Sequence, residues 1–277
     1  MTRTYLQKAP RNQRNDRGGR TCGIKTFFEA SYQDSNILDA KVKMNSPLVA
    51  ADHINDGKHH LLLAATGSVA TIKIPNIIEA LSPHENLSIR ILLSESVANF
   101  LQGQSAEQPS LAMIDCMQNV DGIYSDADEW RKPWVRGDSI LHIELRRWAD
   151  LMVIAPLSAN SLAKIAKGMS DNLLTSVVRA WDTTGLIDLA RPGIPLPCGG
   201  KKIIVVAPAM NTAMWHHPVT AEHIQRLEKG WGLESGGWFV VLRPMEKELA
   251  CGDVGSGAMQ DWKMIVHTVE HQLHLGG

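Results

Sequence analysis

Five continuous apolar runs constrain the fold of this chain more than any other feature of its sequence. They lie at residues 60–66, 87–94, 151–157, 203–210 and 238–244, and segments with helical periodicity separate them. A strand that is apolar at every position, rather than at alternate ones, is buried on both faces, as in a parallel sheet between two layers of helices. The sequence therefore predicts one three-layer, doubly wound α/β domain with a parallel sheet.

The remaining segments set the expected limits of this domain. Residues 1–57 show no sustained periodicity, so we interpret them as a basic, disordered extension before a single domain at residues 58–277. Residues 1–25 contain seven lysines and arginines and one acid, whereas the rest of the chain carries 21 basic and 28 acidic residues. An acidic body disfavours a nucleic-acid partner, although the arm alone is typical of an RNA-binding tail or a mitochondrial presequence. Two polar stretches, near 102–122 and 183–200, are interpreted as surface insertions.

Composition disfavours several classes of protein. No apolar run approaches the ~20 residues that cross a bilayer, and the first residues lack the apolar segment of a secretory signal. We therefore expect no membrane partner and a cytoplasmic location, with mitochondrial import through the basic N-terminus as the alternative. The four cysteines, Cys22, Cys116, Cys198 and Cys251, form no CxxC or Cys/His ligand spacing. A disulfide framework or a metal site is therefore disfavoured, and we expect reduced thiols.

Small polar residues follow three of the apolar runs, at the strand exits where open parallel sheets bind ligands. Backbone N–H groups and helix dipoles at such exits bind phosphate, so together these residues predict a phosphorylated cofactor. Each of them alone is also typical of a turn glycine or a helix cap. The GxGxxG spacing of a dinucleotide site is absent, which disfavours NAD. The residues concerned are Gly67, Ser68, Ser94, Ser96, Ser158, Asn160 and Ser161.

Three further positions carry side chains with catalytic chemistry. Ser139 as a helix N-cap places His142 in the first helical turn as a candidate general base, and an ordinary surface histidine is the alternative. Asn211 follows the fourth apolar run, where an amide either closes a turn or holds a ligand. Cys251 lies in a glycine-rich loop, which is typical either of a mobile lid that carries a thiol or of a surface loop with an incidental cysteine.

Four segments occur in one order along the chain and read GSVA, HIELRRWADLMVIAPLSANSLAKIAKGMSDNLLT, PAMNTAMW and LACGDVGSGAM. In content and order they closely resemble the flavin-containing cysteine decarboxylases. The resemblance covers about residues 60–260 and is specific, because the last three segments are long and independent of one another. The two insertions and the basic extension are similar to those of fungal members.

This resemblance implies a flavodoxin-like or Rossmann-like flavoprotein that binds FMN and forms a homotrimer with active sites between subunits. It implies that His142 is the catalytic base and that Cys251 donates a proton from a flap. It further implies that Asn211 binds the substrate carboxylate, with Ala250 and Met259 as additional substrate contacts. The residues that it assigns to FMN are Gly67, Ser68, Val69, Ser94, Ser96, Ser158, Ala159, Asn160, Ser161 and Ala209.

The reaction that the resemblance implies is the decarboxylation of 4'-phosphopantothenoylcysteine to 4'-phosphopantetheine in coenzyme A biosynthesis, through a transient thioaldehyde and enethiolate. An acylated cysteine offers no electron sink for the carbanion that loss of CO2 creates, which is why the redox capacity of a flavin is required. Two alternatives remain, namely a non-catalytic regulator of a protein phosphatase and a flavoprotein that decarboxylates another cysteine-containing substrate. The chain departs from the family pattern at Glu248, where relatives often have a basic residue, and at the sequence QDW after Met259.

Overall fold

Six parallel strands form the central sheet in the computed structural model of this chain. The structure describes residues 47–105, 107–188, 190–248 and 254–276, all within one of the two compact units of the chain, Leu38–Gly277. The strands of the sheet are β1 (His59–Ala65), β2 (Leu87–Leu93), β3 (Val120–Ser125), β4 (Leu151–Leu157), β5 (Ile203–Pro208) and β6 (Phe239–Val241).

The strands lie in the order β3-β2-β1-β4-β5-β6, and every neighbouring pair is parallel. This confirms the predicted doubly wound sheet, and the order is that of the Rossmann type, in which the direction of winding reverses between β1 and β4. A separate antiparallel hairpin pairs β7 (Met245–Glu248) with β8 (Val254–Ala258).

Helices cover both faces of the sheet and complete the three predicted layers. They are α1 (Ile74–Leu81), α2 (Leu111–Asp115), α3 (Asp126–Glu129), α4 (Leu141–Trp148), α5 (Ala159–Lys167), α6 (Leu173–Arg179), α7 (Pro197–Gly200), α8 (Thr212–Trp215), α9 (Pro218–Gln225) and α10 (Trp262–Gln272), with short 3-10 helices at Val69–Lys73 and Glu95–Phe100. Helices α1 and α10 share one apolar cluster, and α4, α5 and α6 share the other. Successive residues of β1 alternate between the clusters, with Leu61 and Leu63 in the first and Leu62 in the second. Of the described helices, none combines the length and the apolar character needed to cross a membrane.

The stretch near 102–122, predicted to be a surface insertion, leads into an edge strand of the sheet. It contains α2, whose N-cap Ser110 accepts a hydrogen bond from the amide of Met113 at 3.2 Å. Its end enters β3, which pairs with β2 at the edge of the sheet. This edge strand is buried only at residues 122–124. Its sequence therefore lacks the continuous apolar run that marks a central strand.

Charged side chains anchor the stretch near 183–200, the second predicted surface insertion, to the domain. The carboxylate of Asp182 accepts hydrogen bonds from four backbone amides of the following loop. Burial opposes ionisation there, but these hydrogen bonds outweigh it and hold the pKa of Asp182 below its ordinary value. Asp188 then pairs with Arg146 at 2.6 Å, and Arg191 pairs with Asp150 at 2.5 Å. The stretch is therefore anchored in the domain through charged side chains, which a pattern of apolar residues does not reveal.

The folded domain also begins before the predicted boundary at residue 58. Leu48 and Ala50 are buried, and the amide of Ala50 donates to Oε2 of Glu144 on α4 at 2.7 Å. Residues 47–57 therefore pack on the domain, through a segment too short to show periodicity in the sequence. Residues 1–46 lie outside the described residues, so the basic, disordered extension stays a prediction there.

Replacing Arg191 by methionine tests the buried ion pair. The substitution leaves the carboxylate of Asp150, whose side chain is 1% exposed, without its arginine partner. The free energy of unfolding in urea should therefore fall by about 3–5 kcal/mol. Adding Asp150→Asn removes the stranded charge and should restore part of the loss. The control is Arg243→Met, because Arg243 is exposed and pairs with Glu228 at the surface, so its loss should cost about 1 kcal/mol or less. Equal losses in the two single variants would contradict this assignment.

Candidate active site

A cavity of about 770 Å³ opens where the chain leaves β1, β4 and β5. It lies beside the reversal between β1 and β4, the place where doubly wound sheets bind ligands. The strand exits that the sequence singles out therefore meet around one space. Of the predicted site residues, those that line the cavity are Gly67, Ser68, Val69, Ser96, Ser158, Ala159, Asn160, Ala209, Asn211 and Met259.

The exits of β1 and β2 approach each other too closely for a side chain at Gly67. A Cβ atom there would lie 2.4 Å from Oγ of Ser96, so glycine permits the contact. Ser68 caps the 3-10 helix Val69–Lys73 by accepting a backbone amide hydrogen bond. Ser94 is buried, and its Oγ lies 3.2 Å from that of Ser96. The structure thus places Ser94 behind the cavity wall and not among the described lining residues.

Thr66, which is fully buried, joins the exit of β1 to the exit of β4. Its hydroxyl donates to the carbonyl of Pro156 at 3.0 Å and accepts from the amide of Ser158 at 2.7 Å. Ser158 is in turn the N-cap of α5, because its Oγ accepts from the amide of Ser161 at 3.3 Å. Ser161 is buried and, among the described residues, supports this cap instead of lining the cavity.

The N-terminus of α5 suits an anionic group of a ligand. Its first turn has no acidic side chain, and Ser158, Ala159 and Asn160 line the cavity there. The first amides of a helix lack partners within the helix and, with the positive end of its dipole, attract phosphate. The other walls are largely apolar and suit an aromatic ring system; they include Ile72, Phe100, Met210, Met214, Met245 and Trp262. The residues present therefore fit a phosphorylated aromatic cofactor.

Lys73 is a lining residue that the sequence did not single out. It is the one basic side chain among the described residues of the cavity wall, so it adds positive charge to a site suited to phosphate. It ends the 3-10 helix that begins within the GSVA segment. A single lysine in a helical pattern is indistinguishable from an ordinary surface lysine, and only its place in the fold reveals it.

Asn211 both closes a turn and lines the cavity. Its Oδ1 accepts from the amide of Met214 at 2.8 Å and so caps α8. The side chain is exposed and forms part of the cavity wall. Because Oδ1 is committed to the cap, the side-chain NH2 group remains for a ligand, and such a donor pairs well with a carboxylate. The two roles that the sequence left open for Asn211, closing a turn and holding a ligand, are therefore compatible in one side chain.

The β7–β8 hairpin supplies another wall of the cavity. The amide of Met210 donates to the carbonyl of Gly257 at 2.9 Å, which ties β8 to the exit of β5. Ala250 and Cys251 lie between the two strands in sequence and outside the described residues, so their roles stay predictions. The lining residues from the hairpin and its end are Met245, Gly257, Ala258 and Met259.

The sequence QDW, which departs from the family pattern, starts the last helix. Asp261 is the N-cap of α10, and its Oδ1 accepts from the amide of Lys263 at 2.9 Å. Gln260, Asp261 and Trp262 all line the cavity. The departure thus keeps a defined turn and adds an aromatic side chain to the wall. At the other departure, Glu248 pairs in register with the first residue of β8.

His142 is not among the described residues that line this cavity. It lies in the first turn of α4, where its amide donates to Oε2 of Glu129 at 3.2 Å and its Nδ1 lies 2.7 Å from Oε1 of the same carboxylate. The predicted cap by Ser139 is wrong, because the N-cap residue is Ile140 and makes no side-chain cap. The carboxylate of Glu129, at the end of α3 and 13 positions earlier in the chain, accepts the hydrogen bond from this helix terminus instead.

Glu129 also determines which nitrogen of His142 is able to accept a proton. A carboxylate is an acceptor, so Nδ1 carries the hydrogen of a neutral ring and Nε2 keeps its lone pair. The His142 side chain is 23% exposed and that of Glu129 is 5% exposed, so a buried group orients an accessible one. Trp130 and Trp134 lie nearby, 65% and 51% exposed, and with Glu129 they line a second cavity of about 320 Å³.

Comparison with known proteins gives matches over most of the chain. A family model described as Flavoprotein matches residues 50–274. A probable phosphopantothenoylcysteine decarboxylase of Arabidopsis thaliana is 45% identical over 212 residues, which are 76% of this chain and 87% of that protein. A probable thymidylate synthase of Schizosaccharomyces pombe is 40% identical over 80% of this chain, but the match spans only 30% of that longer protein.

Two solved structures are similar in fold and sequence. A PPC decarboxylase mutant complexed with pantothenoylaminoethenethiol has a TM-score of 0.60 and 41% identity, and the match covers 77% of this chain and 97% of that one. The FMN binding protein AtHal3 has a TM-score of 0.57 and 42% identity, with 77% and 96% covered. The residues that the family model matches, 50–274, include all the described residues of the cavity wall.

Proposed function

This chain belongs to the Flavoprotein family, and we propose that it is an FMN-dependent carboxy-lyase that decarboxylates 4'-phosphopantothenoylcysteine to 4'-phosphopantetheine in coenzyme A biosynthesis, in the cytoplasm. One cavity that combines the N-terminus of α5 with the amide of Asn211 carries the proposal. The N-terminus of α5 suits a phosphate group, and the side-chain amide of Asn211 suits a carboxylate. The similarity to the Arabidopsis decarboxylase supports the substrate, and the similarity to an FMN binding protein supports the cofactor. The cysteine spacing, which fits reduced thiols, supports the location.

FMN is held, in this proposal, by the exits of β1, β2, β4 and β5. The backbone of the Gly67 turn and the first turn of α5 provide N–H donors, and the apolar walls provide a surface for the ring. When bound, FMN supplies a reversible two-electron redox capacity, which makes the thiol-bearing carbon of the substrate an electron sink for loss of CO2. The lining residues assigned to it are Gly67, Ser68, Val69, Ser96, Ser158, Ala159, Asn160 and Ala209, with Ser94 and Ser161 behind them.

The protein residues bind the substrate and move its protons. The NH2 group of Asn211 donates to the substrate carboxylate and, being neutral, holds it without the strong ionic stabilisation that an arginine would give to the departing group. His142 accepts a proton at Nε2, because Glu129 keeps the hydrogen on Nδ1. Cys251 returns a proton after CO2 has left, and Ala250 and Met259 complete the contacts to the substrate.

The assembly that we propose is a homotrimer, in which the cavity of one subunit is completed by His142 of another. The absence of His142 from the described cavity wall of its own chain supports this arrangement. Exposed apolar side chains occur at both places, with Val69 and Met214 each 45% exposed at the cavity and Trp130 and Trp134 exposed beside His142. Contact between two different patches closes into a ring when the rotation between subunits allows it. The number three comes from the sequence resemblance.

The purified protein allows a direct test of the proposed decarboxylase activity. We expect the absorption bands of a bound flavin and the release of CO2 from 4'-phosphopantothenoylcysteine without an added reductant, because the two-electron oxidation is reversed within the cycle. A colourless protein without activity would exclude this function and favour a regulatory one. Release of CO2 from other cysteine-containing acids alone would instead change the substrate class.

The substitution Asn211→Asp separates the two roles of this residue. Aspartate keeps an oxygen that caps α8 but replaces the NH2 donor by a charge that repels the substrate carboxylate. The free energy of unfolding in urea should therefore change by about 0.5 kcal/mol or less, whereas kcat/KM should fall by about 100-fold or more. Asn211→Ala, as the control, removes the cap as well and should cost about 1 kcal/mol of stability. Full activity of the aspartate variant would contradict the role in carboxylate binding.

A mixing experiment tests whether each active site is shared between subunits. His142→Asn and Asn211→Asp chains should each be inactive alone. When they are co-expressed and purified through two different tags, every trimer contains both chains, and one of its three contacts joins an intact His142 to an intact Asn211, so about a third of the wild-type activity should return. If both residues act within one chain, no mixture contains an intact site and the activity stays absent.

A further inference from the structure

Strand β8 lies against the turn that carries Asn211 so closely that two of its positions have no room for a side chain. A Cβ atom at Gly255 would lie 2.0 Å from Oγ1 of Thr212, and one at Gly257 would lie 2.4 Å from the carbonyl oxygen of Met210. The amide of Met210 donates to the carbonyl of Gly257 across the same contact. Glycine at both positions therefore allows β8 to dock directly on the start of α8.

Ser256, between these two glycines, adds a side-chain hydrogen bond to this contact. Its Oγ lies 2.7 Å from Nε2 of His216, 40 positions earlier in the chain. His216 is the C-cap residue of α8. It is exposed, Ser256 is half-buried, and neither is among the described residues that line the cavity. The pair therefore fastens β8 to α8 from outside the ligand space.

We propose that the hydrogen bond between Ser256 and His216 is a latch that sets the position of Asn211 relative to Met259. Helix α8 has Asn211 as its N-cap and His216 as its C-cap, so a restraint on His216 is passed to Asn211 through one helical turn. Ser256 precedes Met259 by three residues and acts on it through β8. Asn211 and Met259 both line the cavity but belong to different elements, and the latch joins those elements.

Ser256 and His216 are positioning residues in this scheme. They exchange no proton with the substrate, and they act by limiting how far the β8 wall moves from the Asn211 wall. The kinetic consequence rests on the proposed function, because it requires a substrate held between Asn211 and Met259. The restraint on β8 does not depend on the proposed function, and a separate experiment measures this restraint.

Hydrogen–deuterium exchange of the FMN-loaded protein measures the restraint directly. In Ser256→Ala, amides of residues 254–258 should exchange about fivefold faster, as expected for the loss of one side-chain hydrogen bond, whereas Ser256→Thr keeps the hydroxyl and should exchange like the unaltered protein. The matched control is Ser235→Ala, because the Ser235 hydroxyl also makes one hydrogen bond at 2.7 Å, to the carbonyl of Lys229, away from the cavity. It should leave the exchange of β8 unchanged.

Steady-state kinetics and a double-mutant cycle complete the test. KM for 4'-phosphopantothenoylcysteine should rise about fivefold in Ser256→Ala and His216→Ala, with a smaller change in kcat, and the double variant should resemble either single one. Additive effects of the two substitutions, or unchanged exchange of β8 in Ser256→Ala, would overturn the latch. Faster exchange in a protein that releases no CO2 before substitution would support the restraint and reject the proposed function.

Discussion

The hydroxyl of Thr66 fixes the place on which the rest of the site depends. In a doubly wound sheet the connections after β1 and β4 leave toward opposite faces, and a crevice opens between them. Thr66 bridges that crevice at its base, because it donates to the carbonyl of Pro156 and accepts from the amide of Ser158. Gly67 then brings the chain against Ser96, and Ser158 begins α5. The cavity thus follows from the strand order and one buried hydroxyl.

The four strands that are buried along their whole length are predictable from the sequence, and so is β6 at one edge of the sheet, whereas β3 at the other edge is not. The central strands are recognisable as continuous apolar runs because every residue of β1, β2, β4 and β5 is buried. The edge strand β3 was missed because it is buried only at its centre. The buried pair of Arg191 and Asp150 was missed for a different reason, since its members are 41 positions apart. Each of them, read alone, looks like a surface charge.

The same distinction applies to the candidate site. Gly67, Ser68 and Ser158 were predicted because strand exits are local features whose place follows from the topology. Glu129 and Lys73 were not, since their importance comes from what the fold brings next to them: a histidine from α4 in one case and a cavity in the other. Residue patterns therefore locate the strand exits around the cavity, whereas the orientation of His142 depends on side-chain pairing that only the fold reveals.

The position of Glu129 at the end of α3 has a consequence for local unfolding. The cavity rests on β1, β4 and β5 in the middle of the sheet, but α3 is four residues long and follows β3 at the edge. A helix of that length has no stability of its own, and a strand paired on one side opens at a lower free energy than a central one. The cofactor cavity and the orientation of His142 thus depend on regions of unequal local stability. Fraying at the sheet edge releases the ring of His142 from Glu129 while the cavity between the central strands stays intact.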